Sequence, residues 1–211
     1  MIGRYNPGAL ITYLSVASAI AGIGFAFNGN PIASILCLML SGLLDMFDGK
    51  VARMKKNRTE QDVSYGTQID SLADVIAFGV LPVAIGFSIG MTDWFYWPIG
   101  VIFVLAALIR LATFNVLEDE LAKLKKERSK SFIGLPVTSV ALILPIIILF
   151  RDLTGEFFPL VWGISLIIIA SLFLLKASFI NKPDDKRMII YIIIGVLEIT
   201  AIGLVIWLAT R

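Results

Sequence analysis

Four carboxylates and one glycine recur at helical spacing in DMFDGKVARMKKNRTEQDVSYGTQIDSLAD, residues 45–74. Asp45 and Asp48 stand three apart, and Asp70 and Asp74 four apart, so each pair shares one face of a helix. Gly66 falls on the stripe of Asp70 and Asp74. Carboxylates at membrane depth are costly unless paired, hydrated or bound to a cation. The chain contains no histidine. Four converging acids therefore point to an oxygen-only cage for a hard divalent cation. The competing reading is charge pairing of the acids with Lys50 and Arg53, but four acids exceed two nearby cations.

The elements that must hold these acids are apolar. Of 211 residues, 58% are hydrophobic and 16% charged, against about 25% charged in a soluble domain; the mean hydropathy is +0.88. The reading is an all-α integral membrane protein, one polytopic helical bundle over residues 1–211 with the catalytic motif at 45–74. A span needs about 20 apolar residues. Seven candidates occur, near 8–28, 31–54, 65–91, 94–117, 133–151, 157–179 and 187–209, within a range of six to eight. Pro82, Pro136 and Pro145 fall inside apolar runs and are expected to kink helices or shift their ends. The fifth span, with Gly134, Pro136 and Pro145 close together, is the weakest.

Cys37 is the sole cysteine, which excludes an intrachain disulfide and a thiolate zinc site. The lack of histidine removes Ser-His and Cys-His catalysis, haem ligation and HExxH chemistry. MIGRYNPGAL lacks the layout of a cleaved signal, so the first apolar run is expected to be a retained helix. With the N-terminus cytoplasmic, the regions 1–7, 50–64, 118–132 and 176–187 carry all 18 lysines and arginines except Arg110, Arg151 and Arg211. That asymmetry orients the bundle in the cell membrane with the motif on the cytoplasmic side. The segment 117–131 reads as a solvated basic loop, or as a short amphipathic surface helix. No nucleic-acid partner is expected.

The pattern Asp45-x-x-Asp48-Gly49-x-x-Ala52-Arg53, then Gly66-xxx-Asp70-xxx-Asp74, resembles the signature of the CDP-alcohol phosphotransferases. These membrane enzymes transfer a substituted phosphate from a CDP-linked donor to an alcohol and release CMP. The connector between Arg53 and Gly66 is longer here than the family usually has. The resemblance implies a site for two divalent ions, Mg²⁺ or Mn²⁺, on Asp45, Asp48, Asp70 and Asp74, with Asp74 also the general base. It implies that Gly49, Ala52 and Gly66 face cytidine and Arg53 the diphosphate, and that the protein is a homodimer.

Three further stretches, QIDSLADVIAFGVLP (68–82), RLATFNV (110–116) and SFIGLPVT (131–138), look like the membrane-type phosphatidylserine synthases. The implied acceptor is L-serine and the donor CDP-diacylglycerol or an archaeal CDP-lipid. Arg110, the one cation within the fourth span, is the candidate partner of the serine carboxylate, with Asn115 and Ser131 as further acceptor contacts. Arg110 could instead pair with a motif aspartate or a donor phosphate. Direct displacement is favoured, since no histidine and no serine or cysteine nucleophile accompanies the acids. The alternatives are another acceptor (glycerol phosphate, inositol phosphate or choline) and, in a different class, an ion-coupled transporter. Glu198, alone in the last span, is set outside the catalytic group as a helix contact or dimer interface.

Overall fold

The computed structural model describes residues 7–54, 59–123, 134–176 and 185–209. No strand occurs among them. Among the described residues six helices are long and apolar enough to cross a membrane: Gly8–Phe27, Pro31–Ala52, Gln61–Ser88, Trp94–Leu121, Arg151–Leu174 and Met188–Val205. The chain is an all-α polytopic membrane protein. In such a bundle lipid is as apolar as leucine, so close packing and hydrogen bonds between helices hold it together.

Helices α1 (Pro7–Phe27) and α2 (Pro31–Met54) form an antiparallel hairpin. Its turn needs a left-handed residue, supplied by Gly29 at φ 69°. Asn30 then caps α2, its Oδ1 accepting from Ala33 N–H at 3.1 Å. The two helices are zipped by small and hydroxyl residues. Ser15 and Ser41 each donate to the other's carbonyl (3.3 and 3.1 Å), Ser18 donates to Cys37 O (2.9 Å) and Ser34 to Gly22 O (2.8 Å). A Cβ on Gly8 would lie 2.5 Å from the Cβ of Ala52, so the backbones nearly touch at the motif end.

Helix α3 (Glu60–Asp74) begins earlier than the expected start near 65. Thr59 Oγ1 accepts from Asp62 N–H and Asp62 Oδ2 from Thr59 N–H, both at 3.1 Å. This reciprocal cap satisfies two orphan donors, and it turns half of the polar connector into helix. After Asp74 the chain makes a wide π turn, Val75–Val80, and continues as α4 (Leu81–Ser88). Leu81 N–H reaches back to Ile76 O. Pro82 has no N–H for the Phe78 carbonyl and its ring crowds that position, which favours the wider turn here. Trp162 Nε1–H donates to Pro82 O at 3.2 Å, which fastens this junction to the core.

Helix α5 (Trp97–Lys123) follows a turn in which Gly90 has φ 111°. It runs past the expected end of its span into the first residues of the basic segment; residues 124–133 lie outside those described. The fifth expected span is shorter than the sequence reading had it. Leu135 and Pro136 are non-helical, a 3-10 turn covers Val137–Ser139, and α6 occupies only Val140–Ile148. This apolar segment, Val137–Ile148, is too short for a full span. Pro136 holds the extended conformation (φ −60°, ψ 139°) that delays the helix. The segment starts beside the end of the later helix Phe158–Leu174, with Leu135 N–H donating to Leu172 O (3.1 Å). It packs on α2, where a Cβ on Gly42 would meet Ala141 at 2.5 Å.

A single turn, α7 (Arg151–Thr154), leads into α8 (Phe158–Leu174), and α9 (Asp185–Ala209) closes the bundle. Trp162, Phe78, Phe103, Phe158, Leu81 and Ile85 are fully buried at the centre. Trp94, Trp97 and Phe157 are exposed at the end opposite the motif, where amphipathic rings suit a membrane interface.

Candidate active site

Because α2 ends and α3 begins at the same end of the bundle, their carboxylates meet. One oxygen each of Asp45, Asp70 and Asp74 lie within 4.8 Å of one another. Asp48 adjoins Asp70, and Asp45 adjoins Asp74. Asp48 and Asp74 are only 7% and 8% exposed, and Asp45 and Asp70 are half-buried. Like charges this close, and this far from water, repel strongly unless a cation stands among them. Asp70 Oδ1 is buried with no hydrogen-bond partner among the described residues. An all-oxygen donor set with an orphaned, inward-facing oxygen fits a hard divalent ion.

The third wall is α1, to which sequence reasoning gave no role. Thr12, 4% exposed, donates its hydroxyl to Asp48 Oδ2 at 2.8 Å. Tyr13 and Tyr65 share a hydroxyl–hydroxyl bond of 3.2 Å, linking α1 to α3 beside Gly66. The available signal was periodicity: Gly8, Thr12, Ser15, Ser18 and Gly22 mark one helical face.

The fourth wall is α5. Arg110 is 7% exposed and lies within electrostatic reach of Asp74 and Asp45; its Cζ stands 5.4 Å from the Phe114 ring centroid. One turn further, Asn115 and Ser71 bond reciprocally: Asn115 Nδ2 donates to Ser71 Oγ (2.8 Å), and Ser71 Oγ to Asn115 Oδ1 (3.2 Å). Ser71 follows Asp70 directly, so this pair pins α5 to α3 next to the acids.

The remaining expected residues are distributed as follows. Gly49 and Ala52 follow the acids along α2, and Gly66 precedes them on α3. The methyl of Ala52 faces Gly8. Arg53 lies on α2, but its side chain is outside the described residues, as is Ser131 altogether. Glu198 sits on α9, 6% exposed, with neither carboxyl oxygen hydrogen-bonded among the described residues.

A model of the family CDP-alcohol phosphatidyltransferase matches residues 6–210. The chain is 39% identical over 132 residues to the CDP-diacylglycerol–serine O-phosphatidyltransferase of Saccharomyces cerevisiae, a match covering 60% of this chain and 46% of that protein. It is 30% identical over 196 residues to the protein of the same name from Helicobacter pylori, covering 87% and 76%. With the archaetidylserine synthase of Methanothermobacter thermautotrophicus it shares 34% over 134 residues, covering 63% and 53%. The match thus spans about half the length of the yeast and archaeal relatives.

Proposed function

The chain belongs to the CDP-alcohol phosphatidyltransferase family, and we propose that it transfers the phosphatidyl group of a CDP-activated lipid to L-serine, releasing CMP. The observation that carries this reading is the convergence of the Asp45, Asp70 and Asp74 oxygens within 4.8 Å, with Asp48 adjoining. Serine as acceptor rests on the names of the relatives. Those names include both a diacylglycerol enzyme and an archaetidylserine enzyme, so the donor is CDP-diacylglycerol or its archaeal ether counterpart.

Asp45, Asp48, Asp70 and Asp74 would hold two divalent ions, Mg²⁺ or Mn²⁺, whose charge would neutralise the diphosphate and stabilise the departing CMP. Asp74 accepts the proton of the serine hydroxyl. The serine Oγ forms its bond to the β-phosphorus, the bond from that phosphorus to the CMP oxygen breaks, and the electron pair leaves with CMP. Arg110 and Asn115 orient serine, the guanidinium taking its carboxylate, and Ser131 is a further candidate acceptor contact. Gly49, Ala52 and Gly66 give cytidine close access to the helix backbones, and Arg53 takes a diphosphate oxygen. The family resemblance and the lysine and arginine placement support a homodimer in the cell membrane with this site facing the cytoplasm. A monomer by light scattering in detergent would rule out the dimer.

The test is CMP release by purified protein from CDP-diacylglycerol with Mg²⁺ or Mn²⁺, comparing L-serine, glycerol 3-phosphate, inositol 3-phosphate, choline and no acceptor. Serine-dependent release that falls by about 10²-fold or more in Asp74→Asn is expected. Release with another acceptor alone overturns serine, and no release with any acceptor overturns the enzyme reading.

A further inference from the structure

Thr12 has one hydroxyl proton and two acceptors in range. One is the usual helical partner, Gly8 O, at 3.2 Å; the other is Asp48 Oδ2, on a different helix, at 2.8 Å. A hydroxyl facing an ionised oxygen makes the shorter and stronger bond, so the proton belongs to Asp48. The contact is buried on both sides, Thr12 at 4% and Asp48 at 7% exposure, so water does not compete for it. One turn away the Gly8–Ala52 approach fixes how far α1 stands from α2. The hydroxyl is therefore delivered at a distance set by backbone packing.

We infer that Thr12 is a positioning residue for the acid site: its hydroxyl fixes the orientation of the Asp48 carboxylate, so that the cage is preformed when a divalent cation enters. The inference rests on reading the four aspartates as a cation site, and it makes α1 part of the catalytic apparatus. A carboxylate free to rotate would have to be ordered on binding, and losing such a supporting bond typically weakens metal affinity by about 10–100-fold.

The experiment is Mn²⁺ titration of the purified full chain in detergent, followed by the electron paramagnetic resonance signal of free Mn²⁺, with no nucleotide or serine present. Thr12→Val keeps the shape and removes the donor; Thr12→Ser keeps the donor; Thr12→Ala serves as a second donor-less variant if valine disturbs folding. Binding about tenfold or more weaker in Thr12→Val or Thr12→Ala, with Thr12→Ser at the wild-type value, is expected. In an Asp48→Asn background the valine substitution adds no further loss. Wild-type affinity in both donor-less variants, equal losses in serine and valine, or an undiminished loss on top of Asp48→Asn would each overturn the inference. Absence of Mn²⁺ binding by the wild type would overturn the cation site itself. Normal binding without serine-dependent CMP release would sink only the acceptor, leaving the role of Thr12 standing.

Discussion

Gly8→Ala adds one methyl group at the tightest contact of the motif end. The new Cβ would lie 2.5 Å from Ala52 Cβ and 3.0 Å from Ala52 Cα. Carbon atoms settle at about 3.5–4.0 Å, so the helices must separate by about 1 Å at this level. No rotamer change relieves the clash, because the atoms met are a methyl and the α2 backbone. Thr12 is one turn along the same face, and its 2.8 Å bond to Asp48 would stretch to a length that is no longer a hydrogen bond. Overpacking of this kind costs about 1–3 kcal/mol. A lower thermal midpoint in detergent and weaker Mn²⁺ binding, in the direction of Thr12→Val, should therefore appear together. Ala52→Gly removes the 2.5 Å methyl contact but leaves the 3.0 Å approach to the Ala52 Cα, so the double variant should recover both in part. Gly24→Ala is the control, since nothing lies within 4 Å of its added Cβ. Gly8→Ala matching the wild type in both measurements, or Ala52→Gly rescuing neither, would refute this coupling of helix spacing to the acid site.

Three other outcomes can be read separately. Arg110→Ala should raise the KM for serine far more than that for the CDP-lipid; if the arginine serves only to balance the aspartates, Mn²⁺ binding will change and the serine KM will not. Asn115→Ala breaks the reciprocal bond to Ser71 and should act on the same serine KM, with Ser71→Ala following it; unaltered values in steady-state kinetics would count against an acceptor role. Glu198→Leu replaces a buried carboxyl that has no hydrogen bond among the described residues, a cost of about 1–3 kcal/mol. The thermal midpoint should rise with CMP release unchanged, and a fall would mean that Glu198 has a partner beyond the described residues.

The aspartates were legible because helical spacing and depth in an apolar run are both properties of one stretch of chain. Arg110 was legible for the same reason, as a cation where cations are expensive. Thr12 was not: its partner is 36 residues away, and only the register of α1 against α2 brings them together. The Ser71–Asn115 bond likewise needs the register of α3 against α5. The expected range of six to eight spans holds, and the count of seven becomes six among the described residues where hydropathy and backbone chemistry part company. The region 133–151 is apolar enough to span, yet Leu135 and Pro136 are not helical and leave α6 short. The opposite error occurred at Thr59, where a polar stretch was read as connector although its reciprocal cap starts a helix.

The wide turn at Val75–Val80 sets two angular phases within one rod. In an uninterrupted helix each residue advances the face by about 100°, and Asp74, Phe78, Leu81 and Ile85 would fall on a single stripe. The wide turn uncouples that stripe. The acids of α3 keep their own direction toward α2, while Leu81 and Ile85, both fully buried, keep theirs toward the core. Where the carboxylates point is thus set independently of how the rest of the rod packs. A single-residue deletion within 75–80 would narrow the wide turn to an ordinary helical one and keep the two phases, whereas a single-residue insertion there would rotate one against the other, turning the aspartates off their partners without changing any residue that touches them.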